Sequence, residues 1–385
     1  MGPQTGGCVE LGALAVALVC PDKFRGTLTA AGAAEALARG IEAAEVDRRR
    51  FDEVRRLPLA DGGEGTLDAL LAAQGGSRRR ATVTGPLGDP VTAEWGMLPD
   101  RTAVIESARA SGLALVAGAN DPLVATSRGT GELIRAAVRG GAKRIVVAVG
   151  GSAMTDGGLG AVDALGWSLA GLDVTVACDV TTPFLDAARL YGPQKGATAA
   201  QVALLARRLE RLAEVYRQRT GVDVAALEHS GAAGGLAGGL VALGARLEPG
   251  FEVVARAAGF EAALDGVDLV VTGEGRFDRT SLDGKVTGSV LEWASSEGVA
   301  LRSVVTGQVA DDLRLAAGAE AGDDGGADAP SGPAVGAEVD HVLDGVLVLA
   351  LVDRVWQSGE AWARAGLLAE EAAVEVGRWA LQRLK

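Results

Sequence analysis

The feature that most constrains the fold is the alternation of short β-branched runs with alanine-rich stretches. Such runs lie at 14–20, 54–59, 144–149, 267–272 and 301–306. A helical stretch follows the first run from about Thr29, whose side chain suits an N-cap. Short buried strands that alternate with helices build parallel sheets covered by crossover helices. The sequence therefore predicts an α/β fold.

The pattern also predicts two domains. The chain has 385 residues, enough for two or three domains of about 150 residues. After residue 84 the character changes, because two short strand-like runs at 91–106 flank Pro99-Asp100, a hairpin turn signal. The later β-branched runs at 267–272 and 301–306 resemble the first run at 14–20 more than they resemble this middle part. We therefore expect a first domain of residues 1–85 and 266–385, an inserted domain of residues 86–265, and a disordered loop at 318–336, which is rich in Gly, Pro and acidic residues.

Composition excludes several classes of protein. The net charge of −13 argues against a surface that neutralises nucleic-acid phosphates. The longest apolar run near the start, 11–20, falls short of the roughly 18 residues that a membrane span needs, and no Lys or Arg precedes it as in a signal peptide. Three cysteines without a C-x-x-C pair fit a reducing compartment. We expect a cytoplasmic protein without nucleic-acid or membrane partners, and the oligomeric state stays open.

Missing motifs narrow the chemistry further. The chain has no G-x-G-x-x-G, no G-x-x-x-x-G-K-[ST], no H-E-x-x-H and no G-x-S-x-G, and it has only two histidines. These absences argue against a standard dinucleotide site, a Walker A loop, a histidine-ligated metal hydrolase and a serine hydrolase.

Gly-rich junctions that carry charges follow the first two strands. Residues 21–28 (PDKFRGTL) include Lys23 and Arg25, which could hold a carboxylate or phosphate at the following helix N-terminus. Residues 60–66 (ADGGEGT) include Asp61, which could bind Mg²⁺ or accept a hydroxyl proton. Taken alone, each could equally be a solvated loop or a tight turn.

Two further glycine clusters have alternative interpretations. Residues 149–158 (VGGSAMTDGG) present successive Gly and Ser amides, a pattern that can form a nest for nucleotide phosphates or a plain turn. Residues 231–239 (GAAGGLAGG) could be a close-packed helix or a ligand loop.

Later junctions combine acidic and basic residues. They are 178–180 (CDV), 192–197 (GPQKGA) and 272–278 (TGEGRFD), with Lys285 shortly afterwards. Lys or Arg for phosphate, Asp or Glu for Mg²⁺ and Gly loops for backbone contact are what phosphoryl transfer requires. The set predicts a kinase of a small hydroxylated substrate.

These motifs, in this order from about residue 16 to 381, resemble the bacterial glycerate kinases of type 1. The resemblance implies phosphorylation of D-glycerate with ATP and Mg²⁺, giving ADP and 2-phosphoglycerate (or 3-phosphoglycerate), in glyoxylate metabolism. It also implies a flavodoxin-like parallel-sheet domain with a second α/β domain inserted, and an active site in the interdomain cleft. A kinase of another small hydroxy acid, or a non-catalytic nucleotide-binding sensor, are the alternatives.

We assign hypothetical roles within this scheme. MgATP lies against the glycine-rich loop at 150–158, and glycerate sits near the loops of the first domain. The predicted catalytic residues are Asp179, Asp61, Lys195 and Lys285; substrate binding falls to Lys23, Arg25 and Arg276, nucleotide binding to Gly150, Gly151, Ser152, Asp156 and Gly157, and metal binding to Glu274 and Asp278.

Overall fold

The computed structural model describes residues 15–282, 284–311, 313, 341–343, 346–355 and 358–384. Its strands, in chain order, are β1 Val16–Val19, β2 Glu53–Arg56, β3 Ser77–Thr84, β4 Pro90–Met97, β5 Thr102–Glu106, β6 Arg144–Ala148, β7 Asp173–Cys178, β8 Arg246–Pro249, β9 Leu269–Thr272, β10 Arg276–Phe277, β11 Leu301–Thr306, β12 Gln308–Val309, β13 His341–Leu343 and β14 Val346–Ala350.

The α-helices are α1 Ala30–Ala43, α2 Thr66–Gln74, α3 Ala108–Ser111, α4 Arg128–Arg139, α5 Leu159–Ala164, α6 Ala187–Tyr191, α7 Ala199–Thr220, α8 Ala232–Ala242, α9 Gly250–Ala258, α10 Phe260–Ala263, α11 Val286–Ser296, α12 Ser358–Ala363 and α13 Ala365–Arg383. Short 3₁₀ turns lie at Leu113–Leu115, Phe184–Asp186, Pro193–Lys195, Arg279–Ser281 and Leu351–Arg354.

The first sheet is parallel except at one edge. Its strand order is β2-β1-β9-β11-β14, with β13 antiparallel beside β14. This is the doubly wound order of flavodoxin-like sheets. Alternate residues of β1 point to opposite faces: Ala17 and Val19 pack with α1 and α13, whereas Val16 and Leu18 pack with α2, α9 and α11. Both faces are covered, which explains why β1 is apolar throughout.

The second sheet is mixed. Its order is β3-β4-β5-β6-β7-β8, antiparallel from β3 to β5 and parallel from β5 to β8. Its core includes Ile105, Val147 and Leu236. The chain builds β1 and β2, passes through the whole second sheet and returns at β9. The predicted α/β fold with two domains, the second inserted into a flavodoxin-like first, is confirmed.

Several local predictions can be compared with the elements. Thr29 caps α1 by accepting a hydrogen bond from Gly32 N, as predicted. Strand β3 begins at Ser77 and pairs along its length with β4, although the sequence placed residues up to 85 in the first domain. The segment 231–239 is helical only in part, because Ala233, Gly234 and Gly235 have left-handed backbone (φ +50°, +67° and +88°), and Gly235 and Gly238 pack against Phe184. The segment 318–336, predicted as a disordered loop, lies outside the described residues.

Candidate active site

A cavity lies at the switch point of the first sheet. The chain moves from β1 to β2 on one side and from β9 to β14 on the other, so the crevice beyond β1 and β9 is where such sheets bind ligands. There Asp22 N donates a hydrogen bond to Gly273 O at 2.8 Å. The cavity measures about 530 Å³. Its lining includes seven of the residues predicted from the sequence: Lys23, Arg25, Asp61, Glu274, Arg276, Asp278 and Lys285.

The second domain closes one end of this crevice, because the C-terminal edges of the two sheets meet there. A Cβ atom on Gly250 would lie 1.8 Å from Asp61 O and 2.7 Å from Asp179 Oδ1. A Cβ atom on Gly150 would lie 3.6 Å from Gly63 Cα. Any side chain at residue 250 would collide with Asp61 O, so only glycine permits this close approach. Asp179, which follows β7, therefore comes to lie beside Asp61, which follows β2.

Three carboxyl groups and one ammonium group are crowded at this junction. Lys23 Nζ lies 3.9 Å from Asp22 Oδ1 and 4.0 Å from Asp61 Oδ1, and it donates to Glu64 O at 2.6 Å. Burial, followed by the charge of Asp61, raises the pKa of Asp179. Burial also raises the pKa of Asp22, although Lys23 partly opposes this. One lysine does not balance three acids, so the cluster favours a proton or a further cation.

Glu274 and Asp278 lie on the other side of the switch point. Glu274 Oε1 is buried and has no hydrogen-bond partner among the described residues, and burial raises the pKa of this side chain, although the Thr287 and Ser281 hydroxyls partly oppose this. Asp278 Oδ1 accepts from Thr280 Oγ1 at 2.6 Å and Ser281 N at 3.2 Å, and the Thr280 hydrogen bond lowers the pKa of Asp278. Lys285 Nζ also donates to Thr280 Oγ1, at 2.6 Å.

These carboxylates fit Mg²⁺ that arrives with a phosphate ligand. Within the described residues, no three His, Cys, Asp or Glu side chains are gathered so that they could hold a metal ion. Magnesium, however, is commonly held by one or two carboxylates together with substrate phosphates and water. The unpartnered Glu274 Oε1 is a suitable oxygen ligand for such an ion.

The predicted nucleotide loop and Lys195 lie in the second domain and do not line the 530 Å³ cavity. Lys195 is 4% exposed, and its Nζ donates to Ser152 Oγ at 2.9 Å and to Met154 O at 2.6 Å. Burial lowers the pKa of Lys195 to about 8. Asp156 Oδ2 accepts from both the amide and the hydroxyl of Ser127, at 2.8 Å each.

The glycines of that loop are divided between two environments. Gly150 faces Gly63 at the domain junction, and a Cβ atom on Gly151 would lie 3.4 Å from the Cβ atom of Ala108. Gly157 packs instead among side chains of the second domain, including Phe184 and Leu212. The start of the loop is therefore near the carboxyl cluster, and its end is internal.

Two acidic residues of the site, Asp22 and Glu106, are not among the residues predicted from the sequence. Asp22 belongs to the junction at 21–28, where a carboxylate directly after the first strand was the available signal. Glu106 ends β5 and is 1% exposed. Its Oε1 accepts from Gly65 N and Leu67 N, both at 2.9 Å. Its Oε2 accepts from Arg109 Nε. No local motif marks Glu106, because two of its partners, the amides of Gly65 and Leu67, lie in the other domain.

A flavodoxin-like sheet with charged groups at its switch point, beside a second α/β domain, belongs to the class of α/β proteins that bind ligands at the carboxyl ends of their strands. A family model described as the glycerate kinase family matches residues 17–171 and 167–322. The chain therefore belongs to the glycerate kinase family, and it is an enzyme of the kinase class.

The names of individual similar proteins agree with this family. The chain is 43% identical over 305 residues to a protein named Glycerate 2-kinase from Escherichia coli K12, covering 70% of this chain and 79% of the relative. It is 40% identical to a Glycerate kinase of Bacillus subtilis 168, covering 72% and 81%. The crystal structure of a protein assigned as glycerate kinase 2 from Salmonella typhimurium LT2 matches with a TM-score of 0.77 and 33% identity, covering 96% of this chain and all of that one.

No helix in the described part of the chain combines the length and the apolar character needed to cross a membrane.

Proposed function

We propose that this enzyme transfers the γ-phosphoryl group of ATP to the 2-hydroxyl of D-glycerate, with Mg²⁺, giving 2-phosphoglycerate and ADP. The observation that carries the proposal is the pair of neighbouring carboxyl groups of Asp61 and Asp179 beside Lys23, at the end of a cavity with basic side chains. The name of the Escherichia coli relative supports the 2-hydroxyl. Transfer to the 3-hydroxyl is the alternative product.

Asp179 is suited to accept the proton of the attacking hydroxyl. Because desolvation and the charge of Asp61 raise its pKa, its carboxylate is a stronger base than an aspartate with the ordinary pKa. The hydroxyl oxygen forms a bond to the γ-phosphorus while its proton passes to Asp179. The bond between the γ-phosphorus and the bridging oxygen breaks, and the electron pair leaves with ADP.

The remaining charged groups of the cavity neutralise the two anionic substrates. Lys23, Arg25, Arg276 and Lys285 line it, and guanidinium groups bind carboxylates and phosphates through paired hydrogen bonds. Glu274 and Asp278 would hold Mg²⁺. When bound, the ion supplies charge neutralisation between the phosphates. The expected location of the nucleotide against the loop at 150–158 stays a prediction, as does the cytoplasmic location.

The test is ADP release from purified protein with D-glycerate and MgATP, followed by treatment of the product with enolase in the absence of a mutase. ADP together with enolase turnover supports the 2-kinase. ADP with turnover only after adding phosphoglycerate mutase would indicate 3-phosphorylation. No ADP with glycerate, but ADP with another small hydroxy acid, would contradict the proposed substrate.

A matched pair of variants connects the activity to this site. Asp61→Asn removes a carboxylate of the junction, whereas Asp89→Asn removes an exposed one in the turn between β3 and β4. We expect kcat to fall on the order of 10² to 10⁴ for Asp61→Asn and to be unchanged for Asp89→Asn. Equal activity of both variants would remove Asp61 from the mechanism.

A further inference from the structure

The cavity is much longer than a three-carbon acid. It runs along the C-terminal edge of the first sheet, from Asp61 after β2 to Val352 after β14. Four strand spacings of about 4.8 Å separate those two strands, or about 19 Å in all. Glycerate would occupy a fraction of this length, whereas an extended nucleoside triphosphate spans most of it.

The two ends of the cavity differ in chemistry. The carboxyl cluster and Lys23 lie over β1 and β2, at the junction with the second domain. The wall that follows β14 is apolar, with Leu351, Val352, Ala361, Trp362 and Ala365. Neither a triphosphate nor glycerate has an apolar surface that could pack against this wall. The flat apolar part of a nucleotide is its base.

Trp362 offers that base a surface. Its side chain is 60% exposed although it lines the cavity. The ring is positioned by the loop after β1, since a Cβ atom on Gly26 would lie 2.7 Å from Trp362 Cζ3. Gly26 has φ +82°, a conformation that favours glycine. An exposed indole held beside a basic loop is a stacking platform.

We propose that the purine ring of the nucleotide stacks on Trp362, with the triphosphate extending past Lys23 and Lys285 toward the carboxyl cluster. This inference rests on the proposed function, because it takes the nucleotide to be a substrate. It places the base in the first domain, away from the loop at 150–158. In that loop Ser152 Oγ already accepts from Lys195 and the Asp156 carboxylate is used by Ser127, so their side chains are committed to internal contacts.

Stacking on an indole face also predicts the nucleotide preference. Stacking involves only the flat face of a base, so it depends little on the polar groups at the edge of the base. The enzyme should therefore use ATP and GTP with similar KM values, and CTP and UTP with higher ones, because pyrimidines offer a smaller surface to the indole.

The experiment compares Trp362→Ala and Trp362→Phe with Leu367→Ala, which removes another exposed apolar side chain from the neighbouring helix α13, outside the cavity lining. Binding of MgADP and of magnesium tripolyphosphate is measured by calorimetry, and KM is measured for ATP and glycerate. Trp362→Ala should weaken MgADP and raise KM for ATP roughly tenfold to a hundredfold. It should leave tripolyphosphate binding and KM for glycerate unchanged.

Trp362→Phe should restore most of the loss, and Leu367→Ala should match the wild type. Equal weakening of MgADP binding and tripolyphosphate binding, or a rise in KM for glycerate alone, would overturn the inference.

The outcomes also separate the stacking from the proposed function. If the wild type is active and Trp362→Ala leaves its KM for ATP unchanged, the stacking is overturned but the proposed function stands. A wild type that phosphorylates no hydroxy acid, yet binds MgADP through Trp362, supports the stacking and refutes the proposed function. A wild type that neither binds MgADP nor releases ADP overturns both.

Discussion

At the scale of single residues, Asp179 combines the proposed role as proton acceptor with a stability cost. Its pKa is raised by burial and by Asp61, so the folded state binds its proton more tightly than the unfolded chain does. The unfolding free energy therefore falls as the pH rises from the unfolded pKa of the carboxyl toward its folded pKa, and the loss is complete above the folded value.

Replacing Asp179 with Asn should remove this cost. We expect Asp179→Asn to raise Tm, with a gain that is small near pH 4 and grows toward alkaline pH. Activity should fall. Thermal unfolding from pH 4 to pH 9 measures the difference, with Asp89→Asn as the exposed control. A gain that does not vary with pH would contradict the assignment.

Gly250 supplies a second test at this scale. A methyl group there would collide with Asp61 O, so Gly250→Ala should cost about 1–3 kcal/mol by overpacking and should lower kcat by displacing Asp61. Gly366→Ala is the matched control, because its Cβ atom would meet only Leu28 Cδ2 at an ordinary 3.8 Å. Chemical denaturation and turnover measure both effects, and a Gly250→Ala enzyme as stable as the control would refute the close approach.

The sequence predicted much of the site at this scale, because Lys23, Arg25, Asp61 and Glu274 directly follow strands that the pattern located. The carboxyl ends of parallel strands meet at one edge, so local order sufficed to bring these residues together. Trp362 could not be found in this way, since its position depends on how a C-terminal helix packs over Gly26.

At the scale of elements, the turn Pro193–Lys195 fixes the loop between β6 and α5. The ammonium group of Lys195 reaches Ser152 and Met154 across the interior of the second domain. Lys195 is therefore a positioning residue for the start of that loop, which faces Gly63. The sequence placed Lys195 beside a triphosphate, because a lysine in a Gly-rich loop gives no sign that its ammonium group is buried.

The pH dependence of stability checks this position. Burial lowers the pKa of Lys195 from 10.5 to about 8, so the folded state releases the proton first. The stability that the neutral form contributes is complete above pH 10.5 and is lost as the pH falls through about 8. Lys195→Met should flatten the rise of unfolding free energy between these two pH values.

The control for that experiment is Lys143→Met, which removes an exposed lysine from the turn before β6. Its profile should follow the wild type throughout. If Lys195→Met and the wild type had parallel profiles from pH 8 to pH 10.5, the ammonium group could not be buried as described.

Strand β3 shows a limit of sequence patterns at the element scale. Its sequence begins Ser-Arg-Arg-Arg, and most of its residues are exposed or half-buried at the edge of the sheet. Arg78 and Arg80 pair with Glu94 on β4. Cross-strand ion pairs, which no single segment reveals, take the place of the apolar alternation that predicts most strands.

At the scale of the whole molecule, Glu106 connects the two domains. It extends from β5 in the second sheet, and its Oε1 accepts from Gly65 N and Leu67 N at the start of α2. Arg109 binds the same carboxylate and also reaches Asp68 on α2 and Glu94 on β4. This buried carboxylate is therefore one of the contacts that set the relative placement of the domains, beside the close approach of Gly250 to Asp61.

Truncation of this side chain should affect the entire protein. Glu106→Ala leaves the amides of Gly65 and Leu67 without their acceptor and removes one of the three carboxylates that Arg109 contacts, which should cost about 3–5 kcal/mol. Calorimetry should show a lower Tm, and the unfolding of the two domains should separate. Glu252→Ala, which removes an exposed carboxylate from α9, should leave the transition unchanged. An unaltered single transition in Glu106→Ala would show that other contacts hold the domains together.

The same carboxylate has a consequence for anyone who recombines this architecture. Helix α2 lies between the sheets, and the acceptor for its first amides is encoded after the chain has already entered the inserted domain. If the inserted domain is replaced by one from another protein, α2 loses the Glu106 acceptor. The new domain must then supply an acidic residue at the end of its strand that corresponds to β5. A domain exchange should therefore keep Glu106 and the residues at 65–67 together, because the carboxylate and the amides that bind it come from different domains.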